Sequence, residues 1–317
     1  MNANPDFLKI ARMTEDEARE TIESIRWPNG VVCPKCGSNK GAYKLQSKPK
    51  SKNKIRPGVY KCKACRNKFT VMIGTIFEDS HIPLNKWLVA IYLMNASKKG
   101  ISSHQLHRML DITYKSAWFM THRIRYAMTQ EPLGKLIGTV EADETYIGGK
   151  EKNKHINKRT KRNQGRSTKT KTPVAVLVER GGNSIAKKVI DTGKKTLQDN
   201  ILENVEKTSN IMTDEWLAYD GLEKQFASHQ SVDHGRGEYV NNHVYTNTAE
   251  SWFSLLKRGI VGTFHHVSEE HLDRYVKEFE FRWNNRSMAD GERMVKAVKG
   301  IEGKRLMYKE TTNGKTS

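Results

Sequence analysis

The chain has 317 residues, of which 36% are hydrophobic, so it is long enough to bury more than one core. It carries 55 Lys and Arg against 35 Asp and Glu, and a net charge of +20 favours polyanionic partners. No apolar run reaches the roughly eighteen residues of a membrane span and the N-terminus lacks a signal-peptide pattern, so we expect a cytoplasmic protein without membrane partners.

The first segment predicts a helix that ends at Trp27. Thr14 is a suitable N-cap, and Ala18, Ile22 and Ile25 recur at near-helical spacing. The Trp-Pro-Asn-Gly sequence that follows is a helix breaker.

The four cysteines form two CxxC pairs, Cys33 with Cys36 and Cys62 with Cys65, with 25 residues between the pairs. This spacing is typical of a zinc ribbon, in which each pair points two thiolates at one ion. Four sulfur ligands also suit an iron–sulfur centre, and each CxxC alone could be a redox motif. The adjacent Gly37 and short strands favour zinc over an iron–sulfur centre. The lack of a βαβ context disfavours the redox interpretation.

From Pro83 to Gln130 the hydrophobic period is helical, and a turn at 111–113 divides the last two predicted helices. The final helix carries Lys115, Arg123 and Arg125, the cations expected of a helix that enters a DNA major groove. A helix-turn-helix module and an ordinary helical hairpin both fit this pattern.

Beyond Gly134 the pattern changes to that of strands, which then alternate with helices as in a mixed α/β sheet with an antiparallel edge. The predicted strands are Ile137–Gly149, Pro173–Arg180, Ser184–Asp191, Asn210–Trp216 and a short one near residue 230, and helices are predicted at 196–207, near 219–226 and after Thr246.

A strongly basic loop separates the first two of these strands. Residues 150–171 contain ten Lys or Arg and a single Glu, a composition that needs an anionic partner to become ordered. We therefore expect DNA contacts from Lys158, Arg159, Lys161 and Arg162.

Several acids in this region could bind metal. On the first strand Glu141 and Asp143 share a face, whereas Glu144 points the other way, so the alternation alone leaves a choice between the first two. Farther along the chain, Asp214 and its neighbour Glu215 are alternative candidates for a second metal-binding acid.

Glu250, separated from Asp214 by 35 residues, has a second possible role. Asn247 and Glu250 fit a capping box at the start of a helix, so this carboxylate is either a cap or part of the chemistry.

Long motifs carry a resemblance to a known family. VEADETYIGGKEKNKH, IMTDEWLAYDGL and TNTAESWFSLLKRGIVGTFHHVSEEHLDRYVKEFEFRWNNR, preceded by the four-cysteine ribbon, resemble the ISXO2-like (IS1595) insertion-sequence transposases from Trp27 to Arg286. The resemblance implies a ribonuclease H-like catalytic domain of the DDE type. It also implies cleavage and strand transfer at the ends of an insertion sequence, and double-stranded transposon and target DNA as partners of a dimer or higher oligomer.

Position by position, the resemblance implies that Asp143, Asp214 and Glu250 hold Mg²⁺ or Mn²⁺ and that Lys257 is the accompanying basic residue. Arg258, next to it, is a further expected DNA contact, although a cation is also favoured at that helix end by the dipole. The sequence departs from the family at Tyr245, where a histidine is expected.

The predicted organisation has four parts: an N-terminal helix with the zinc ribbon at 1–78, a helical DNA-binding segment at 79–132, the catalytic domain at 133–290 and a polar C-terminal tail at 291–317, which we expect to fray after residue 305. Two other functions compete with transposition. One is a domesticated zinc-ribbon protein that binds DNA without catalysis, and the other is a nuclease of the same fold that cuts without joining.

Overall fold

The structure is a computed structural model that describes residues 6–47, 54–129, 134–149, 154–159, 170–233 and 243–312. The chain divides into two compact units. The first combines Met1–Thr129 with Ser287–Ser317, and the second is Gln130–Arg286.

The helices and strands, numbered in chain order, fall into three stretches. Those of the first stretch are α1 (Phe7–Ala11), α2 (Glu15–Arg26), β1 (Ala42–Lys44), β2 (Tyr60–Cys62), β3 (Lys68–Phe69), α3 (Leu84–Ala96), α4 (Ser103–Leu110) and α5 (Tyr114–Met128). Those of the second are β4 (Thr139–Gly148), β5 (Lys171–Glu179), β6 (Ser184–Lys188), α6 (Lys194–Asn204), β7 (Asn210–Asp214), β8 (Ser228–Val232), α7 (Asn247–Gly259) and α8 (Glu269–Asn284). Those of the third are α9 (Asp290–Lys299) and α10 (Tyr308–Thr312).

The N-terminal helix α2 begins as its sequence predicts. The Thr14 side chain accepts from the backbone N–H of Glu17, and the Glu17 carboxylate accepts from the backbone N–H of Thr14, so the two residues form a capping box. The buried side chains Ala18 and Ile22 form its inner face.

The residues after 290 differ from the expected polar tail. Helix α9 packs on α2, α3 and α5 of the first unit, and Met294, Ala297 and Val298 are fully or almost fully buried. The polar side chains that suggested a tail are the outer face of an amphipathic helix, whose few apolar residues repeat at helical spacing. The prediction of a polar tail after residue 290 is therefore wrong for this stretch.

Helices α4 and α5 are joined by a tight turn at the predicted place. Asp111 adopts a left-handed conformation with φ 48° after α4, and the Thr113 side chain caps α5 by accepting from Ser116 N–H. The sequence between them is too short to form anything but a sharp reversal, so the two helices are direct neighbours.

The second unit is built on a five-stranded sheet with the order β6-β5-β4-β7-β8. Strands β4, β5 and β6 pair antiparallel, while β4, β7 and β8 run parallel. One core joins the sheet to α7 and α8, and a second core on the opposite face joins it to α6. This three-layer mixed sheet confirms the expected ribonuclease H-like α/β fold.

One predicted helix is absent from this unit. Between β7 and β8 the chain forms two short 3₁₀ turns, Leu217–Tyr219 and Leu222–Lys224, in place of a helix at 219–226. Gly221 separates them with a φ of 96°, a backbone conformation that interrupts a right-handed helix.

Within the described ranges, the helices are all too short or too polar to cross a membrane.

Candidate active site and zinc centre

The four cysteines converge on one point. Among the described residues they are the one group of three or more His, Cys, Asp or Glu whose ligand atoms lie close enough together to hold a metal ion, within 4.8 Å of one another. The Sγ atoms of Cys33 and Cys65, and those of Cys36 and Cys62, are 3.7 Å apart. Tetrahedral zinc with bonds of about 2.3 Å places its sulfurs about 3.8 Å apart, so the spacing fits zinc.

Each cysteine pair sits on a matching backbone knuckle. Cys33 N–H donates to Ser38 O and Cys62 N–H donates to Asn67 O, which closes the two turns in the same way. The residue after the second cysteine of each pair is left-handed: Gly37 has a φ of 70° and Arg66 a φ of 60°. The knuckles therefore point both thiols of each pair toward the centre.

The ionisation of the thiols also suits a metal site. Hydrogen bonds from the backbone and side chain of Asn67 lower the pKa of Cys65 to about 6. In Cys36 a bond from Ser38 acts in the lowering direction, but burial and the other thiols outweigh it and raise the pKa to about 12. The Cys65 thiolate thus forms readily, whereas the Cys36 thiol needs a nearby cation before it ionises.

In the second unit, Asp143 and Asp214 come from neighbouring parallel strands. The last paired residues of β4 and β7 are Glu141 and Met212, and each aspartate follows two positions later. Because side chains alternate along a strand, both aspartates face the same side of the sheet as Glu141. That side is the one covered by α7.

Glu141 fixes the start of α7 on this face of the sheet. Its carboxylate accepts from Thr248 N–H at 2.7 Å, from Ala249 N–H at 3.0 Å and from the Thr248 hydroxyl at 2.9 Å. Glu250 follows directly and is exposed in the first turn of the helix. Glu250 therefore lies on the helix that is bound to the strand of Asp143.

The predicted capping box of Asn247 and Glu250 is wrong. The helix already includes Asn247, and Thr246 occupies the N-cap position without a side-chain capping bond. The sequence pattern misleads here because the cap comes from Glu141, more than a hundred residues away in the chain.

Arg180 completes the network around Glu141. Its Nε donates to Glu141 Oε1 at 2.7 Å, and its two terminal nitrogens donate at 2.8 Å to the carbonyls of His243 and Tyr245. The guanidinium also lies over the Tyr245 ring, 3.5 Å from its centre. One arginine at the end of β5 thus connects the strand to the segment that leads into α7.

The electrostatics of Asp143 reflect the crowding of acids. Burial raises the pKa of Asp143 well above its ordinary value of 3.8. The negative charges of Glu144, Asp214 and Glu250 raise this pKa further, and a backbone hydrogen bond from Glu144 offsets part of the rise. The described carboxylates are less closely gathered than the four thiols, but their charges are near enough to Asp143 to oppose its ionisation.

The neighbouring acids that competed for these roles are placed differently. Glu144 faces the other core, where the hydroxyl of buried Tyr219 donates to its Oε2 at 2.7 Å. Glu215 is exposed, whereas Asp214 is buried and accepts from Trp216 N–H at 3.1 Å.

The basic residues of α7 lie on its exposed side. Lys257 is two helical turns after Glu250, which places it about 10 Å farther along the same face. Its Nζ is 5.8 Å from the centre of the Phe253 ring, and Arg258 donates to Ser254 O.

Two of the predicted DNA contacts are buried. Arg123 is 5% exposed and donates to the carbonyls of Leu306, Ile76 and Glu78, and Arg125 is 0% exposed. Their assignment to a DNA-reading face is wrong, because the C-terminal half of α5 lies inside the first unit. The helical period that places cations on one face does not say whether that face is covered.

The other predicted DNA contacts remain accessible where they are described. Lys115 is exposed near the start of α5, with its Nζ 4.5 Å from the centre of the Tyr308 ring. Lys158 and Arg159 are exposed in a short 3₁₀ turn and beside it. Lys161 and Arg162 lie outside the described residues.

Comparison with known proteins agrees with this arrangement. The chain matches the ISXO2-like transposase domain over residues 135–284 and the transposase zinc-ribbon domain over residues 13–68. An uncharacterized protein in transposable element ISH50 of Halobacterium salinarum is 31% identical over 285 residues, which cover 85% of this chain and 91% of that protein. An uncharacterized transposase-like protein of Haemophilus influenzae is 33% identical over 90 residues, 28% of this chain and 72% of that protein.

One solved structure with a match is a simian T-cell lymphotropic virus intasome in complex with the PP2A regulatory subunit B56 gamma. The match covers 56% of this chain and 63% of the matched chain of that structure. Its identity is 13% and its TM-score 0.27, too low to carry an argument. The two domain matches and the relative that spans most of the chain are sufficient on their own. The chain therefore belongs to the ISXO2-like transposases of the IS1595 family, and its four cysteines are those of the family's zinc ribbon.

Proposed function

We propose that the protein cleaves DNA at the ends of an insertion sequence and transfers the strands to a target, with Asp143, Asp214 and Glu250 as the metal-binding acids. The observation that carries the proposal is the position of the two aspartates. They lie on adjacent parallel strands at the same level and on the same face, and α7, which carries Glu250, covers that face.

The donor set fits a divalent cation such as Mg²⁺ or Mn²⁺. Carboxylate oxygens are the ligands that these hard ions prefer. Burial and then the charges of the neighbouring acids raise the pKa of Asp143, and a bound cation would favour its charged form. When bound, such ions activate the attacking hydroxyl and stabilise charge on the leaving oxygen of a phosphodiester.

In this proposal three acidic residues hold the cation and a basic residue contacts the DNA. Asp143 and Asp214 are fixed by their strands, and Glu250 approaches from the helix above them. Lys257, exposed two turns along α7, lies where a DNA phosphate that leads into the site would be neutralised.

DNA binding extends beyond the active site. Besides Lys257, the exposed cations Lys115, Lys158, Arg159 and Arg258 are proposed phosphate contacts, and Lys161 and Arg162 stay predictions of the same kind. Strand transfer requires two transposon ends to be held together, so we propose that the chain acts as a dimer or a higher oligomer on DNA.

The proposal is tested with duplexes that carry the ends of the element. Asp143→Asn, Asp214→Asn and Glu250→Gln should each abolish end cleavage while zinc content and DNA affinity stay at the level of the unmodified protein. Glu215→Gln is the matched control, because Glu215 is an exposed acid directly beside Asp214 and should keep full activity. End cleavage at the unmodified rate in any triad variant would remove that residue from the site.

A second assay separates transposition from the competing functions. A pre-cleaved end with a free 3′-hydroxyl is incubated with target DNA in Mg²⁺. Joined product supports transposition, cleavage without joining indicates a nuclease, and tight binding with neither reaction indicates a domesticated DNA-binding protein.

A further inference from the structure

The structure contains a buried carboxylate beside the proposed active site that the triad does not use. Glu141 is 0% exposed, lies two residues before Asp143 on β4 and faces the same side. We propose that Glu141 is a positioning residue: with Arg180 it holds the first turn of α7 in the place where Glu250 meets the two aspartates. This inference rests on the proposed function of the triad.

Glu141 is unsuited to be a metal ligand itself. Its Oε1 accepts from Arg180 Nε and from the Thr248 hydroxyl, and its Oε2 accepts from the N–H groups of Thr248 and Ala249. A carboxylate has about four lone-pair sites, so these four donors use its whole capacity. The side chain can therefore hold the helix but has nothing left to offer an ion.

The contact acts on the residues immediately before Glu250. Free N–H groups at a helix start carry partial positive charge, and a carboxylate placed there is bound strongly and in a defined direction. Since α7 has no side-chain cap of its own, Glu141 is the group that fixes the first turn. A shift of this turn would move Glu250 with it.

Arg180 fixes the segment of chain that leads into α7. It donates to the carbonyls of His243 and Tyr245 as well as to Glu141, and Tyr245 lies flat against its guanidinium. Tyr245 is the position where the resemblance leads one to expect a histidine. In this chain its ring serves to hold Arg180 in place, so the positioning network includes this departure from the family pattern.

Glu141→Gln tests the role with little change in shape. Glutamine offers one acceptor oxygen, so two of the four donors would meet an NH₂ group instead and the turn would shift. We expect Mn²⁺ to bind the zinc-loaded full chain about tenfold more weakly by calorimetry, and plasmid nicking in Mn²⁺ to fall by a similar factor.

The matched control is Glu280→Gln. Glu280 is also a buried carboxylate of the second unit that pairs with a cation, Lys277, and accepts from a backbone N–H, that of Ala186. It lies on α8 against the edge strand, so its loss should lower thermal stability but leave Mn²⁺ affinity unchanged. If Glu141 has only a structural role, Glu141→Gln should behave like Glu280→Gln, with reduced thermal stability and normal Mn²⁺ affinity. That outcome would overturn the proposal.

Two further variants keep the test decisive. If Glu141→Gln does not fold, Glu141→Gln with Arg180→Met removes both partners of the buried pair, and the folded double variant should still bind Mn²⁺ more weakly. Asp143→Asn reports on the triad itself. Normal Mn²⁺ binding in Asp143→Asn contradicts the proposed function, whereas weak binding there combined with normal binding in Glu141→Gln contradicts the positioning role alone.

Discussion

Asp143 and Asp214 stand level on neighbouring parallel strands, each two residues beyond the paired residues Glu141 and Met212. Neither strand alone defines this relationship, because it depends on the register between them. It places two negative charges side by side, with Asp214 buried and Asp143 half-buried, which folding alone does not favour. A site of this kind is expected to reduce stability in return for function.

The first prediction follows from the repulsion between these two negative charges. Asp143→Asn should raise the thermal midpoint of the metal-free second unit, because the amide removes a charge that burial and the neighbouring acids disfavour. We expect a gain of about 1 kcal/mol, or about 2–4 °C for a unit of this size, measured by calorimetry in chelator.

The gain in stability from Asp143→Asn should depend on pH. The pKa of Asp143 is raised by folding, so the carboxylate becomes progressively unfavourable as the pH rises from its unfolded pKa through its folded pKa, and the gain should vanish in acid. Glu215→Gln, beside Asp214 but exposed, should leave the midpoint unchanged. A lower midpoint in Asp143→Asn at neutral pH would show that the charge is fully compensated.

The second prediction concerns the zinc ribbon. Cys33→Ser and Cys62→Ser each remove one of the four thiols and should abolish stoichiometric zinc, because no other described group lies in the cluster to replace the lost ligand. Structural zinc contributes directly to folding, so the first unit should unfold at lower temperature and become insensitive to chelator. Zinc content by atomic absorption and a chelator titration followed by circular dichroism provide the measurement.

Asp143→Asn serves here as the comparison variant and should retain full zinc. If the serine variants hold zinc as tightly as the unmodified chain, the cluster is not a four-thiolate site.

The third prediction compares the two knuckles. Gly37 and Arg66 occupy equivalent left-handed positions, but only the first is glycine. Arg66→Gly should stabilise the ribbon or leave it unchanged, with an upper limit of about 1 kcal/mol, whereas Gly37→Ala should cost about 1 kcal/mol. A Cβ on Gly37 meets no atom within 4 Å, so the cost would be one of backbone conformation alone.

Urea denaturation of the zinc-loaded protein measures both changes. Stabilisation of the ribbon by Gly37→Ala would contradict the assigned conformation.

Much of the fold could be predicted from the sequence because its signals are local or carried by long motifs. The CxxC spacing indicated the cysteine cluster, and Thr14 with Glu17 marked the start of α2. Alternation along β4 placed Asp143 and Glu144 on opposite faces, as the structure has them. The order of strands and helices then followed from the change of period after Gly134.

What the sequence could not give depends on contacts between distant segments. Alternation along β4 does not distinguish Glu141 from Asp143, and only the family resemblance implies Asp143. That Thr248, Ala249 and Arg180 surround Glu141 is visible only in the folded chain. The same limit explains the false capping box at Glu250 and the amphipathic α9 interpreted as a tail. In each case a locally plausible pattern is overridden by a partner that only the folded chain brings near.

The last prediction separates a buried cation from an exposed one on the same helix. Arg123 donates to three backbone carbonyls inside the first unit, so Arg123→Ala leaves those acceptors unpaired and should cost about 3 kcal/mol of folding free energy. Lys115 is exposed near the start of α5, so Lys115→Ala should leave stability nearly unchanged but weaken DNA binding. The salt dependence of DNA binding should flatten by about one unit of slope for that single phosphate contact.

Urea denaturation and DNA titrations at several salt concentrations measure the two effects independently. Arg123→Lys refines the comparison, because it keeps the charge but cannot reach all three carbonyls, and it should therefore destabilise the fold without changing the salt slope. If Lys115→Ala leaves both affinity and slope unchanged, α5 does not face DNA, and the helix pair α4 and α5 is an ordinary helical hairpin.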